Sequence, residues 1–241
     1  MNQSEAMAAR VSRRSYLLDP IPHSKLRTLE ESIHAYNRQS GLSLKLLAEG
    51  GSVFYELKRS YGLFTGVKSI ILLKGKTADP HLREKSGIFG ELVVLEATKL
   101  GLSTCWVGGN YSKRDFPIAI NADESPICII TVGTSPKEKT PHERVAYTLA
   151  NRKSKPLDNL YQADSNPPTW FFDGIKAASL APSYANAQSV KFHYKAGAVS
   201  ASVAEENSYR LIDLGIAKAH FALAAVGHFA SGNRGIFSKR Y

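Results

Sequence analysis

Two short segments, far apart in the chain, carry side chains that suit an anionic ligand with a planar ring. The first, Ser12-Arg13-Arg14-Ser15, offers two guanidinium groups and hydroxyls at a predicted helix end. A guanidinium group binds a phosphate through paired charge-assisted hydrogen bonds. The second, Ala-Pro-Ser-Tyr-Ala-Asn-Ala-Gln at 181–188, follows a predicted helix and offers amides and hydroxyls for the polar edge of a heterocycle. Taken singly, the first segment is typical of a solvated basic patch and the second of a turn, so the interpretation depends on both.

Length and composition predict a globular protein with one sizeable core. The chain has 241 residues, of which 43% are apolar, enough for a single domain or for two intertwined halves. Its formal net charge of +10 favours anionic partners. The basic residues are scattered, and the densest groups, at 152–155 and 239–240, lack the interleaved aromatic residues of single-strand nucleic-acid binders. A nucleic-acid role is therefore unsupported, and anionic cofactors would use some of this charge.

The terminus, the hydropathy and the cysteines indicate a cytoplasmic location. The first five residues, Met1-Asn2-Gln3-Ser4-Glu5, contain an acid and no apolar run, so we expect no signal peptide. No apolar stretch approaches eighteen residues, and we expect no membrane association. Cys105 and Cys128 each lie inside an apolar run, which predicts two buried, reduced thiols.

Hydrophobic periodicity predicts a mixture of helices and strands, which is an α+β fold. Apolar residues at helical spacing predict helices over 22–36, 84–100, 170–180 and 209–229. Short β-branched runs predict interior strands over 67–74 and 126–133, an extended segment over 102–109, and a hairpin of 190–194 with 198–203 around Gly197.

The order of these elements also indicates an internal duplication. A helix followed by Asn37-Arg38-Gln39-Ser40 precedes one strand-like run, and a helix followed by Asn186-Ala187-Gln188-Ser189 precedes another. Each half then ends on a long apolar helix, at 84–100 and at 209–229. We therefore predict two related halves, at 1–160 and 161–241, intertwined as one globular unit.

Four motifs in this order resemble the nitroreductase family of FMN-dependent oxidoreductases. They are Arg13-Arg14-Ser15, Gly87-Ile88-Phe89-Gly90-Glu91, the run from Leu100 to Gly109, and Ala181-Pro182-Ser183 with Asn186 and Gln188. The resemblance covers most of the chain and is to single-chain members in which two halves imitate the usual homodimer. It implies a nitroreductase-like fold, FMN as cofactor, and a monomer that acts as an internal pseudo-dimer.

The same resemblance implies which residues would hold FMN, which in the family lies at a subunit interface. Arg13, Arg14 and Ser15 would hold the phosphate and ribityl chain, with Arg152 and Lys153 approaching the phosphate. Trp106, Val107, Gly108 and Gly109 would line one edge of the isoalloxazine, with a backbone N–H near Gly108 directed at N5. Pro182, Ser183, Asn186 and Gln188 would reach the ring and ribityl chain from the other half.

This sequence departs from the family pattern at two places. Leu17 stands where a second basic residue often follows the arginines, and Ser189-Val190 replace the usual Pro-Trp, which puts phosphate affinity in doubt. The first half lacks the Pro-Ser pair and the second lacks any Arg-Arg-Ser, so we predict one complete site and one dead site per chain.

The predicted function is hydride transfer from NAD(P)H through flavin N5 to an electron-poor acceptor such as a nitro compound or a quinone. The flavin carries this chemistry, so the protein needs no catalytic nucleophile or acid–base pair, and we identify none. One alternative is a flavin-binding protein without turnover, and another is a basic nucleic-acid binder that has lost its flavin.

We predict no metal site, because His220 and His228, eight residues apart on one predicted helix, are too far apart to share an ion. Asp213, on the same helix, is expected to accept local hydrogen bonds rather than to transfer protons.

Overall fold

The computed structural model of the chain describes residues 1–54, 64–109, 111–112, 114–149 and 153–240. Its helices are α1 (Gln3–Ala9), α2 (His23–Ser40), α3 (Leu82–Lys99), α4 (Pro141–Leu149), α5 (Thr169–Ser179) and α6 (Ser208–Ala225). Its strands are β1 (Lys45–Leu47), β2 (Ser69–Lys76), β3 (Ser103–Val107), β4 (Glu124–Gly133), β5 (Tyr161–Ala163), β6 (Lys191–Lys195), β7 (Ala198–Ser202), β8 (Gly227–Phe229) and β9 (Phe237–Lys239). Of the residues that the structure describes, 40% are helical and 22% are in strands, which confirms the predicted α+β class.

The chain divides into two compact units, each of which is built from separated stretches of sequence. The four-stranded unit comprises residues 9–82 and 93–151. The three-stranded unit comprises residues 1–8, 83–92 and 152–241. Helix α3 contributes its first part to the three-stranded unit and its last turns to the four-stranded unit.

The four-stranded unit is organised around an antiparallel sheet with strand order β1-β2-β4-β3. The apolar runs at 70–73 and 127–130 are buried in its two central strands, because a strand covered on both faces is apolar throughout. Both predicted interior strands are therefore confirmed. The predicted extended segment is also confirmed, since β3 pairs with β4 from Ser103 to Val107.

The three-stranded unit packs aromatic side chains between its sheet and helices α5 and α6. Phe171, Phe192 and Phe221 are fully buried, and the rings of Phe192 and Phe221 stack with centroids 4.8 Å apart. The predicted hairpin is confirmed as β6 and β7, joined through Ala196 and Gly197. Both of these residues have positive φ, at 49° and 78°, as a tight two-residue hairpin turn requires.

The two long apolar helices that the sequence predicted are observed as α3 and α6, but the C-terminal end of α6 differs from the prediction. Helix α3 matches its predicted range, and Gly101 follows it with a left-handed φ of 71°. The prediction for 209–229 was wrong at its C-terminal end. Helix α6 stops at Ala225 because Val226 adopts a left-handed conformation, and residues Gly227–Phe229 then form β8 instead.

The duplicated tetrapeptides have different local structures. Residues 37–40 form the last turn of α2, whereas residues 186–189 lie in the loop after α5. The local similarity that the sequence indicated is therefore not reproduced in the backbone, and the division into two related halves stays a prediction.

Two further expectations can be compared with the structure. Cys105 and Cys128 are both buried thiols, as predicted. In the part of the chain that the structure describes, no helix has the length and apolar character needed to cross a bilayer.

Helices α3 and α6 cross at a point where only glycine fits. A Cβ atom built on Gly215 would overlap the carbonyl oxygen of Glu84, and one built on Gly87 would overlap the carbonyl oxygen of Ile212. The two backbones therefore approach each other without an intervening side chain.

We predict that Gly215→Ala lowers the free energy of unfolding by about 1–3 kcal/mol, because overpacking forces the two helices apart. Urea denaturation measures this change. Helix propensity alone would give the opposite sign, a stabilisation of about 1 kcal/mol. A more stable variant would therefore contradict the close crossing.

Candidate functional site

The segment from Ser12 to Leu17 lies extended among the strands of the four-stranded unit and does not stand at a helix end. The sequence prediction was wrong here, because α1 already ends at Ala9. Ser12 pairs with Thr104 at the start of β3, and the Arg13 N–H donates to the Thr104 carbonyl at 2.9 Å. The backbone of 14–17 is bonded to Thr65 and Thr134 in the same way. The arginines are therefore held in place by backbone pairing.

The carboxylate of Glu143 lies at the centre of this segment. Its Oε1 atom accepts a hydrogen bond from Arg13 Nε, and its Oε2 atom accepts one from Arg13 Nη2, each at 3.0 Å. It also accepts the backbone N–H groups of Arg14 at 2.7 Å, Ser15 at 3.1 Å and Thr140 at 3.1 Å. Burial alone would raise the pKa of this carboxyl, but the Arg13 guanidinium and the three N–H groups outweigh it and hold the pKa at about 2. Glu143 is therefore a buried, ionised carboxylate surrounded by five hydrogen-bond donors, and we call this arrangement the Glu143 cradle.

Glu143 also caps the start of its own helix. The sequence pattern of such a cap is the signal by which Glu143 could have been identified from the sequence. The Thr140 hydroxyl accepts the Glu143 N–H, while Glu143 accepts the Thr140 N–H, a reciprocal capping box at the start of α4. The tetrapeptide Thr140-Pro141-His142-Glu143 matches the corresponding sequence pattern. The sequence analysis did not identify it.

The three predicted phosphate residues therefore have different environments. Arg13 is neutralised by Glu143 through a two-pronged ion pair, and its Nη2 also donates to the Glu138 carbonyl. Ser15 is buried, and its hydroxyl is bonded to the Thr140 hydroxyl at 2.8 Å. Arg14 is half-buried, and its Nη1 atom is buried without a hydrogen-bond partner among the described residues. Of the three side chains, Arg14 has the unsatisfied donor.

The predicted ring-edge residues lie at and beyond the end of β3. Val107 is buried and Trp106 half-buried within the sheet, whereas Gly108 and Gly109 are exposed just after it. The pairing of Ser12 with Thr104 thus attaches the arginine segment to the strand that carries these residues. The structure brings both predicted segments together in the four-stranded unit.

In the three-stranded unit, the predicted residues 182–188 form a loop that is bonded to the segment 153–155. The side-chain amides of Asn186 and Gln188 both donate to the Lys153 carbonyl, at 3.3 and 3.1 Å. Gln188 Oε1 accepts the Lys155 N–H at 2.9 Å, so both polar atoms of its amide are used inside the protein. Lys153 and this loop therefore lie together in the three-stranded unit. Arg152, predicted beside Lys153, lies outside the described residues.

The backbone of this loop is unusual. Ala185, Asn186 and Gln188 have φ values of 49°, 56° and 44°, in the left-handed region that residues with a Cβ rarely adopt. Such conformations cost about 1–3 kcal/mol each and cluster at functional sites. Internal bonds hold them in place, including the Gln188 N–H donating to Ser183 Oγ at 2.9 Å.

A small, half-open pocket lies between this loop and α6. Asp213 on α6 is 4% exposed and lines the pocket together with Pro182, Ser183 and Gln188. Its Oδ1 accepts the Tyr184 N–H at 2.9 Å, which confirms the expectation that Asp213 accepts a local hydrogen bond. Burial raises the pKa of Asp213 to about 6, against the opposing effects of this hydrogen bond and of Arg210.

The histidines considered as metal ligands lie in different environments. His220 is fully buried on α6 and bonded to Glu91 and to the Ala177 carbonyl, whereas His228 is exposed in β8. The prediction that placed both on one helix was wrong, because α6 ends before His228. No group of three metal-binding side chains was found in the described part of the chain.

Comparison with known proteins assigns the fold and the family. A family model described as “Putative TM nitroreductase” matches residues 2–225. The chain belongs to this nitroreductase family. No curated protein matches this sequence significantly.

Solved structures share the nitroreductase fold. A nitroreductase-assigned structure from Thermotoga maritima has a TM-score of 0.66 and 22% identity, and the match covers 98% of this chain and 92% of that one. A nitroreductase family protein from Clostridium difficile has a TM-score of 0.50 and 22% identity, with coverage of 69% and 100%. A Bacteroides fragilis nitroreductase with bound FMN is more distant, with a TM-score of 0.41, 16% identity, and coverage of 58% and 95%.

We predict that Arg13→Ala lowers the free energy of unfolding by about 3 kcal/mol, because it leaves the buried Glu143 charge without its counter-ion. Adding Glu143→Gln to this variant should recover part of the loss, since the buried charge is then removed. Urea denaturation measures both changes.

Arg27→Ala provides the matched control, because Arg27 pairs with Glu31 in the same unit but its side chain is 79% exposed. Exposed pairs of this kind contribute less than about 1 kcal/mol. Equal effects of Arg13→Ala and Arg27→Ala would show that the Glu143 cradle does not stabilise the fold.

Proposed function

We propose that this nitroreductase-family chain is an FMN-dependent oxidoreductase that uses NAD(P)H to reduce an electron-poor small molecule, such as a nitro compound or a quinone. The observation that carries the proposal is Nη1 of Arg14, a buried donor without a partner in the described structure, on the segment predicted to hold a phosphate. A buried unsatisfied donor costs about 1–3 kcal/mol, so a phosphate oxygen that accepts from it would be strongly favoured.

The residues of the four-stranded unit fit FMN. Arg14 supplies a positive donor for the phosphate, and the Glu143 cradle fixes the backbone on either side of it. Gly108 and Gly109 present exposed backbone without side chains, which permits close approach of a ring. We assign the phosphate to Arg14, and we assign to Arg13 and Ser15 the role of holding the Arg14 backbone in position.

The residues of the three-stranded unit support the same proposal. The loop 182–188 combines three left-handed residues with a dense set of internal bonds, which favours a ligand-facing role. We assign Pro182, Ser183 and Asn186 to the ring and ribityl chain, and Lys153 to the phosphate. Gln188 acts in this assignment by holding Lys153 and Lys155 in place.

When bound, FMN supplies hydride acceptance and donation at its N5 position. The protein would therefore need to bind and orient rather than to attack or to transfer protons. Because each half-site occurs once in the sequence, we also propose a single FMN per chain and a monomer that acts as an internal pseudo-dimer.

Steady oxidation of NADH or NADPH distinguishes the proposed enzyme from a protein that only carries flavin. We expect FMN-loaded protein to oxidise NADH or NADPH steadily when a nitroaromatic compound or a quinone is supplied, followed at 340 nm. Protein that binds FMN but consumes neither nucleotide would instead support a carrier. Protein that binds no flavin, but binds nucleic acid with a steep salt dependence, would support the remaining alternative.

We predict that Arg14→Ala weakens FMN binding about tenfold to hundredfold and changes riboflavin binding little, because a charge-assisted bond contributes roughly 1.5–3 kcal/mol and riboflavin has no phosphate. Titration of the intrinsic flavin fluorescence measures both affinities. Arg27→Ala serves as the control for loss of positive charge. Equal losses for FMN and riboflavin would remove Arg14 from the phosphate site.

A further inference from the structure

The pocket beneath the loop 182–188 contains a second unsatisfied polar atom. Oδ2 of Asp213 is buried and has no hydrogen-bond partner among the residues that the structure describes. The other oxygen of the same carboxyl is bonded to the Tyr184 N–H, so the side chain is fixed in orientation. Asp213 lines the pocket, which lies entirely within the three-stranded unit.

The chemistry of the pocket favours a hydrogen-bond donor that carries no charge of its own. The walls are largely apolar, with Leu160, Val190 and Phe192 among the lining residues. A fully charged ammonium group would lose its hydration against such walls. An N–H group of a neutral ligand satisfies Oδ2 without this loss of hydration.

The surface beside the pocket favours a planar ligand. The rings of Tyr184 and Tyr209 stack with centroids 4.1 Å apart and an interplanar angle of 15°, although 55% and 37% of these residues remain exposed. Tyr209 lies four residues before Asp213 on α6, on the same helix face. An exposed aromatic pair of this kind offers a surface for a flat ring.

We propose that Asp213, through Oδ2, accepts a hydrogen bond from a neutral N–H group of a planar heterocyclic ligand. The inference rests on the proposed function, which supplies two sources of this chemistry. One is the imide N–H of the flavin ring and the other is the carboxamide of nicotinamide. Asp213 is thereby a ligand-binding residue of this chain in addition to its bond to Tyr184.

The test compares each ligand with an analogue that lacks the N–H group. Riboflavin is paired with 3-methylriboflavin and measured by fluorescence, and nicotinamide is paired with N,N-dimethylnicotinamide and measured by ligand-observed NMR. The proteins are wild type, Asp213→Asn, and Asp173→Asn as a control with an exposed carboxylate. Asn at 213 retains an oxygen for the Tyr184 N–H but places an NH₂ group where Oδ2 was.

For the ligand that occupies the pocket, we expect Asp213→Asn and N-methylation each to weaken binding about tenfold, with no further loss when the two are combined. Asp173→Asn should bind every probe as wild type does. The ligand whose binding is weakened by methylation identifies whether the flavin or the nicotinamide supplies the N–H group. The methylated probes test the wild-type protein as well, so the result does not depend on the folding of the variant.

Two results would overturn the inference. One is that neither pair differs on the wild-type protein, and the other is that Asp213→Asn binds both parent ligands as tightly as wild type. Failure of the proposed function is distinguishable, because the chain would then bind neither riboflavin nor FMN in any variant. The nicotinamide pair would still decide the role of Asp213 in that case.

Discussion

The candidate site depends on the carboxylate of Glu143. It accepts hydrogen bonds from two nitrogens of Arg13 and from the backbone of Arg14, Ser15 and Thr140, and its side chain is fully buried. One anion thus fixes a segment near the N-terminus and the first turn of α4, about 130 residues further along the chain. Removing either partner would leave a buried charge or several buried donors unsatisfied, which is strongly destabilising. The Glu143 carboxylate therefore holds the Arg13–Ser15 backbone in place.

The same interaction separates two adjacent arginines that look equivalent in the sequence. The charge of Arg13 is compensated inside the protein, whereas Arg14 keeps a buried donor without a partner in the described structure. When a carboxylate neutralises only one of two neighbouring arginines, the positive charge of the other remains available to attract a phosphate. The family resemblance implied the same role for both side chains, whereas of the two our proposal assigns the phosphate to Arg14 alone.

Most of the elements could be predicted from the sequence because their signals are local. The apolar runs of β2 and β4 and the helical spacing in α3 depend on neighbouring residues, and they appear where expected. The end of α6 was missed because it depends on distant packing. Phe229 continues the apolar pattern of the helix, but its ring packs against Phe221 and Phe237, which requires the chain to turn back at Val226.

The sequence predicted the residues of the candidate site, but it did not predict the interactions that these residues make in the structure. Residue types identified the arginines and the loop 182–188, yet nothing near Arg13 indicated that its partner is Glu143. The amides of Asn186 and Gln188 suited a ligand in the sequence, whereas in the structure both donate to the Lys153 carbonyl. Such pairings join residues more than thirty positions apart, and only the folded chain brings them together. The capping-box pattern at Thr140–Glu143 was the one local signal of this network, and it indicates a helix start rather than a binding site.

The most direct measurement of the central claim is the flavin content of the purified chain after incubation with FMN and removal of the excess. The account predicts a yellow protein that releases close to one FMN per chain on denaturation. A colourless protein that retains no FMN would contradict it, because Arg14 and the loop 182–188 would then have no flavin to hold. A ratio near two would contradict the single complete site.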